Sequence, residues 1–84
     1  MNSKQRKTLE AVFTDPVKAG ISWVDIESLL LSLGVLMKEG AGSCVGFSLN
    51  GVDLIVYRPH PRKETDKGAV KSVRKFLINA GVKP

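Results

Sequence analysis

The stretch GSCVGFSLNGVDLIVYR, residues 42–58, decides the fold. Within CVGFSL (44–49), Val45, Phe47 and Leu49 occupy every second position. Within VDLIVYR (52–58), Val52, Leu54, Val56 and Arg58 fall on one side and Asp53, Ile55 and Tyr57 on the other. A period of two belongs to a strand, whose side chains point alternately to opposite faces. The intervening Asn50-Gly51 suits a two-residue type I′ turn, which needs positive φ at both central positions. An antiparallel hairpin is therefore predicted. Upstream, VLMKE (35–39) reads as a further strand and GAGS (40–43) as the turn that joins it, which gives a three-stranded antiparallel meander.

The flanks change period. In GISWVDIESLLLSLG (20–34), Ser22 is a candidate N-cap with Asp25 three residues on. Val24, Ile26, Leu29, Leu30 and Leu33 form a broad apolar face, and Gly34 supplies the stop. An opening helix is expected in NSKQRKTLEAVFTDP (2–16), where Leu9, Val12 and Phe13 fall at i, i+3 and i+4 before Asp15-Pro16 ends the run. After the hairpin, PHPRKETDKG (59–68) reads as a loop, because Pro59 and Pro61 lack the backbone donor a strand needs. The last helix is KGAVKSVRKFLINAG (67–81), capped by Asp66 or Thr65 and closed by Gly81. Val70, Val73, Leu77 and Ala80 make its buried stripe with Phe76 at the edge, while Lys67, Lys71, Arg74 and Lys75 share another face. The order is helix, helix, three strands, helix. The expected fold class is thus α+β, a sheet with helices packed on one face.

The chain has 84 residues, 43% of them apolar and 25% charged, which fits one small domain with a single core. One cysteine cannot form an internal disulfide, and a reducing, cytoplasmic setting is the expectation. No apolar run is long enough for a signal-peptide core or a membrane span, so a membrane protein is not expected. Net charge is +5, and it is unevenly spread. Residues 1–56 hold five basic and six acidic residues, a balance of −1. Residues 57–84 hold eight basic residues (Arg58, Arg62, Lys63, Lys67, Lys71, Arg74, Lys75, Lys83) against Glu64 and Asp66, a balance of +6. Clustered Lys and Arg favour a polyanion, nucleic acid first, because binding releases phosphate counterions. A solvated basic face on a small protein is the alternative.

Candidates for chemistry are few. The single histidine, His60, lies between two prolines with Arg58, Arg62 and Lys63 nearby, a setting that attracts phosphate and favours neutral imidazole. It suits a general acid or base for RNA cleavage, but a loop histidine that contacts phosphate or caps a turn is the more common case. Cys44 is either a nucleophile short of a partnering base or a small apolar residue at a strand start. Tyr57, beside Arg58, is a candidate for stacking on a base, whereas Trp23 opens a helix and is expected in the core or against a partner. GAGS lacks the strand-before, helix-after context of a phosphate-binding loop. Carboxylates at metal-ligand spacing are lacking too, so neither a metal nor a cofactor is expected.

Taken together, these segments resemble a HicA-type toxin, the small ribonuclease partner of HicB in bacterial toxin–antitoxin pairs. The resemblance covers residues 22–82: a helix ending in Leu33-Gly34, EGAGSCVGF (39–47), the hairpin, RPHPRKETDKGAVKSVRKFL (58–77) and NAGV (79–82). Residues 1–20 lie outside it, as a helical extension. It implies a fold similar to double-stranded-RNA-binding domains, metal-independent cleavage of mRNA, growth arrest, and neutralisation by a HicB-like antitoxin. In that family a Gly-Ser-His pattern, with an aromatic residue three positions on, supplies the catalytic histidine. Gly42, Ser43 and Phe47 match that pattern, and Cys44 stands where the histidine belongs. Three readings follow: His60 supplies the chemistry, Cys44 does so inefficiently, or the chain binds RNA and antitoxin without cutting. Under all three, Arg58, Arg62, Lys63, Lys67, Lys71, Arg74 and Lys75 are the expected RNA contacts, through charge rather than proton transfer.

Overall fold

The computed structural model describes residues 1–59 and 63–83. His60 and Arg62, both candidate site residues, lie outside the described residues. The chain forms an α+β fold with three helices and a three-stranded antiparallel sheet.

Strands β2 (Leu36–Glu39), β3 (Cys44–Leu49) and β4 (Val52–Tyr57) follow one another in the order β2-β3-β4. Their register sets Met37 opposite Phe47 and Phe47 opposite Leu54. The Asn50-Gly51 turn has φ of 52° and 80°, both positive as the hairpin twist demands. Alternation then sends Val45, Phe47 and Val56 into the core, with Leu49, Val52 and Leu54 packed beside them. Leu36, Ile55 and Tyr57 point to solvent from the outer face.

The helices cover the inner face. The α1 helix (Ser3–Val12) opens with a capping box: Asn2 Oδ1 accepts from the Gln5 amide at 2.8 Å, and Gln5 Oε1 accepts from the Asn2 amide at 2.9 Å. Gln5 also donates to Ser28 Oγ at 2.9 Å, and α1 buries Leu9 and Val12 in the common core. In α2 (Trp23–Ser32) the buried residues are Trp23, Ile26, Leu29 and Leu30. Trp23 lies against Phe47 with ring centroids 6.1 Å apart and planes tilted by 55°. The expected place of Val24 in the apolar face is corrected here, because Val24 is 66% exposed. Trp23 takes the inward position at the start of the helix, and the next residue is rotated about 100° away from it. Ser22 occupies the N-cap without a side-chain cap bond, and the Trp23 amide donates instead to Lys63 O at 2.9 Å.

A second ladder was not anticipated. β1 (Ile21–Ser22) pairs antiparallel with β5 (Glu64–Thr65), inside the stretch read from sequence as loop. β4 ends at Tyr57, two residues before Pro59, whereas Thr65 and Glu64 pair with Ile21 and Ser22. The α3 helix (Lys67–Asn79) then starts from Asp66, whose carboxylate accepts from the Ala69 amide at 2.7 Å. Gly81, at φ 87°, lets Val82 N reach Leu77 O at 2.8 Å, the Schellman closure. Val70, Val73, Phe76 and Leu77 are all buried, as their spacing predicted. Asn50 ties the hairpin to this helix by donating from Nδ2 to Ala80 O at 2.8 Å.

Two of the three leucines of α2 provide a direct test, since Leu29 is 0% and Leu31 52% exposed. Leu29→Ala should lower the unfolding free energy in urea by about 2–5 kcal/mol. Leu31→Ala should stay within about 0.5 kcal/mol of the parent.

Candidate functional site

The residues singled out by sequence separate into two places. The first is the turn between β2 and β3. Gly40 N donates to Cys44 O at 2.9 Å, Cys44 N to Ala41 O at 3.3 Å, and Gly42 has φ 64°. The far end of β4 holds the turn from the side, for Arg58 N donates to Ser43 O at 2.9 Å. Cys44 pairs in register with Tyr57, and both alternate away from the core. A Cβ at Gly40 would lie 3.7 Å from Cys44 Sγ, so the thiol rests over the start of the turn. Cys44 is half-buried and free, and Tyr57 is 76% exposed.

Arg58 closes this end of the sheet from the inner side. Its Nε donates to Glu27 Oε2 at 2.9 Å and its Nη1 to Glu39 Oε1 at 2.8 Å. Trp23 Nε1 donates to the same Glu27 oxygen. A helix carboxylate, a strand carboxylate, an indole and a guanidinium thus converge where α2 meets the sheet. The hydrogen bonds that Arg58 donates to Glu27 first and then to Glu39 raise its pKa above the ordinary value, so it is cationic at every physiological pH. Its charge is met by two carboxylates, which leaves the described part of the turn site without a net positive field. Among the described residues no group of three His, Cys, Asp or Glu side chains could hold a metal ion.

The second place is α3. Lys67, Lys71 and Lys75, spaced by four, are exposed along the side opposite Val70, Val73 and Leu77. Lys63, just before β5, is exposed as well. Arg74 differs from the lysines with which the sequence grouped it. Its Nε donates to Val12 O at 2.9 Å and its Nη2 to Thr14 O, so it clamps the end of α1 onto α3. Tyr57 is likewise separate from the lysines, since it stands on the outer face of the sheet and α3 packs on the inner one.

Sequence reasoning missed Glu27 and Glu39. Glu27 had a local signal, sitting four residues after Trp23 on one helix face, but nothing in the sequence links either carboxylate to Arg58. Comparison with protein families, with characterised proteins and with solved structures finds no match to this chain.

Arg58 and Lys71 should therefore respond differently to the loss of charge. Arg58→Gln removes the cation between Glu27 and Glu39, and should lower the thermal midpoint of the protein. Lys71→Gln should leave that midpoint unchanged. Circular dichroism melts of the two variants check this.

Proposed function

We propose that the chain is an RNA-binding protein of the HicA-like toxin type, acting on mRNA and neutralised by a HicB-like antitoxin. One observation carries the reading: a capped helix with its apolar side sunk in the core and Lys67, Lys71 and Lys75 on the exposed side. Regularly spaced lysines on a rigid helix meet successive phosphates without reading base identity. The fold is supportive as well. A helix, an antiparallel meander and a closing helix on one face of the sheet are the parts of a double-stranded-RNA-binding domain, to which α1 is added.

The cleavage that the resemblance implies is assigned to His60, Cys44 and Ser43. A base takes the 2′-hydroxyl proton, the 2′ oxygen attacks the adjacent phosphorus, and the bond to the 5′ oxygen breaks as that oxygen receives a proton. The products are a 2′,3′-cyclic phosphate and a 5′-hydroxyl end. Neither a metal nor a cofactor enters this scheme. In this reading Gly42 and Ser43 keep the turn, Cys44 takes the place of the family's base, and His60 supplies the proton transfer. Tyr57, exposed beside Cys44, is the stacking surface for a base next to the cut.

A second reading is a HicA-like protein that binds RNA without cutting it. It is favoured by the thiol at the histidine's position and by the two carboxylates already facing Arg58. Both readings share the α3 contacts.

Binding is tested by fluorescence anisotropy with labelled RNA. The logarithm of affinity should fall linearly with the logarithm of salt concentration. Changing Lys67, Lys71 and Lys75 together to Gln should reduce that slope by about 2, at roughly 0.7 per single-strand phosphate contact. An unchanged slope would remove α3 from the interface, and binding of an acidic protein but no RNA would overturn the proposal as a whole.

Cleavage is tested in the presence of chelator. RNA cutting by the parent that disappears in His60→Ala assigns the chemistry to His60. A silent parent that gains cleavage on Cys44→His supports a formed site lacking its base. No cleavage in either leaves the binding-only reading standing.

A further inference from the structure

The helices pack on one face of the sheet and leave side chains of the other in solvent. A solvated face of an antiparallel sheet ordinarily carries polar side chains. On this outer face the register sets Leu36 beside Ser48 and Asp53, and Lys38 beside Gly46 and Ile55. Leu36 is 74% and Ile55 69% exposed, against that expectation. Lys38 and Asp53 are exposed as well, and neither forms an ion pair with a described residue. Gly46 has no side chain to fill the middle, and a concavity of about 560 Å³ opens there, bordered by all six of these residues.

Four of them form a rectangle. Leu36 and Lys38 lie two residues apart on β2, Asp53 and Ile55 two apart on β4, and β3 runs between. The apolar pair occupies one diagonal and the charged pair the other, and the diagonals cross over β3 between Gly46 and Ser48. Lys38 and Asp53 are separated by two strand spacings of about 4.8 Å each and by one residue pair along the strands, so their charges are left for an external group. Because the two charges cancel, the patch offers no net field to a phosphate chain or to an acidic peptide. It is instead complementary to itself, as a two-fold interface requires, where residue i meets j and j meets i. A two-fold axis along the Leu36–Ile55 diagonal lays Lys38 of each copy over Asp53 of the other. The same rotation sets Leu36 against Leu36 and brings the two Ile55 side chains together beside the hollow at Gly46.

We infer that the outer face of the sheet is the interface of a symmetric dimer of this chain, centred on Gly46 and Ser48 and bridged by two Lys38–Asp53 pairs. Cys44 and Tyr57 lie one residue pair beyond Gly46, at the margin of the patch, and α3 packs on the opposite face. The inference is therefore independent of the RNA-binding reading. Three strands of four to six residues offer less than the roughly 800 Å² per partner of a standard interface, so the dimer exchanges with monomer.

The experiment is sedimentation equilibrium of the full chain at concentrations up to about 1 mM, the upper end of weak association. The parent should show a monomer–dimer equilibrium. Lys38→Asp and Asp53→Lys each set like charges opposite one another and should each weaken dimerisation by about tenfold or more. They shift net charge in opposite directions, so a loss in both is not an effect of net charge. Lys38→Asp/Asp53→Lys remakes the pairs with reversed sign and should return the dissociation constant to within about threefold of the parent. Gly46→Val fills the hollow and should abolish the dimer. A Cβ at Gly46 would meet Lys38 O at 3.7 Å, an ordinary contact, and matching circular dichroism melts establish that each variant is folded. A parent that stays monomeric throughout overturns the inference, as does a dimer that none of the variants weakens. A double variant no tighter than either single one overturns the Lys38–Asp53 pairing. If the parent is monomeric and Ile55→Ser lowers its affinity for labelled RNA, the face belongs to the RNA interface and the dimer is overturned.

Discussion

A three-stranded sheet with one apolar face is not stable until something covers that face. In this chain the cover is helical, and its centre is the contact of Trp23 with Phe47. Phe47 sits in the middle strand, paired with Met37 on one side and Leu54 on the other, so its burial orders all three strands at once. Trp23 is the first residue of α2, and placing it there determines how that helix lies on the sheet. Helix α3 packs on β4 and α1 packs on α2 and α3, adding Leu9 and Val12 from α1 and Val73, Phe76 and Leu77 from α3 to the common core.

Polar ties at the margins hold the cover in register. Asn50 joins the hairpin turn to the end of α3, Arg74 joins α3 to the end of α1, and Gln5 joins α1 to α2. Arg58 does the same for the open end of the sheet, reaching a carboxylate on α2 and another on β2. Each tie carries a side-chain donor from one element to an acceptor on an element far from it in sequence. Arg58 and Arg74 are therefore taken up inside the fold, whereas Lys67, Lys71 and Lys75 of α3 are left outside it.

That division shapes the functional reading. Arginine, with a planar fork of donors, serves two acceptors at once and suits internal bridging. Lysine is a compact charge on a flexible stem and suits a phosphate whose position varies from one site to the next. Among the described residues the exposed cations are spread over α1, Lys18, Lys38 and the α3 region, with a regular row only on α3, whereas beside the turn at Gly40–Cys44 Arg58 faces two carboxylates and Tyr57 is exposed. Binding and chemistry would then occupy different parts of the surface, the first built on charge and the second on the Gly-Ser turn with its unusual cysteine.

Alternation around Asn50-Gly51, the Asp66 cap and Gly81 stop of the last helix, and its apolar stripe were legible in the sequence, because each depends on neighbours within a few residues. The same local logic identified the lysine face of α3 and left Trp23 between the core and a partner. What sequence could not reach were contacts between distant segments: the β1–β5 ladder, the inward turn of Trp23 in place of Val24, the bonds that recruit Arg58 and Arg74 into the fold, and the separation of Tyr57 from the lysines. Short-range periodicity reports which face of an element is apolar. Only the packed structure decides which charged side chains meet a partner and which remain for solvent and ligand, because that choice depends on what lies within a few ångströms rather than within a few residues.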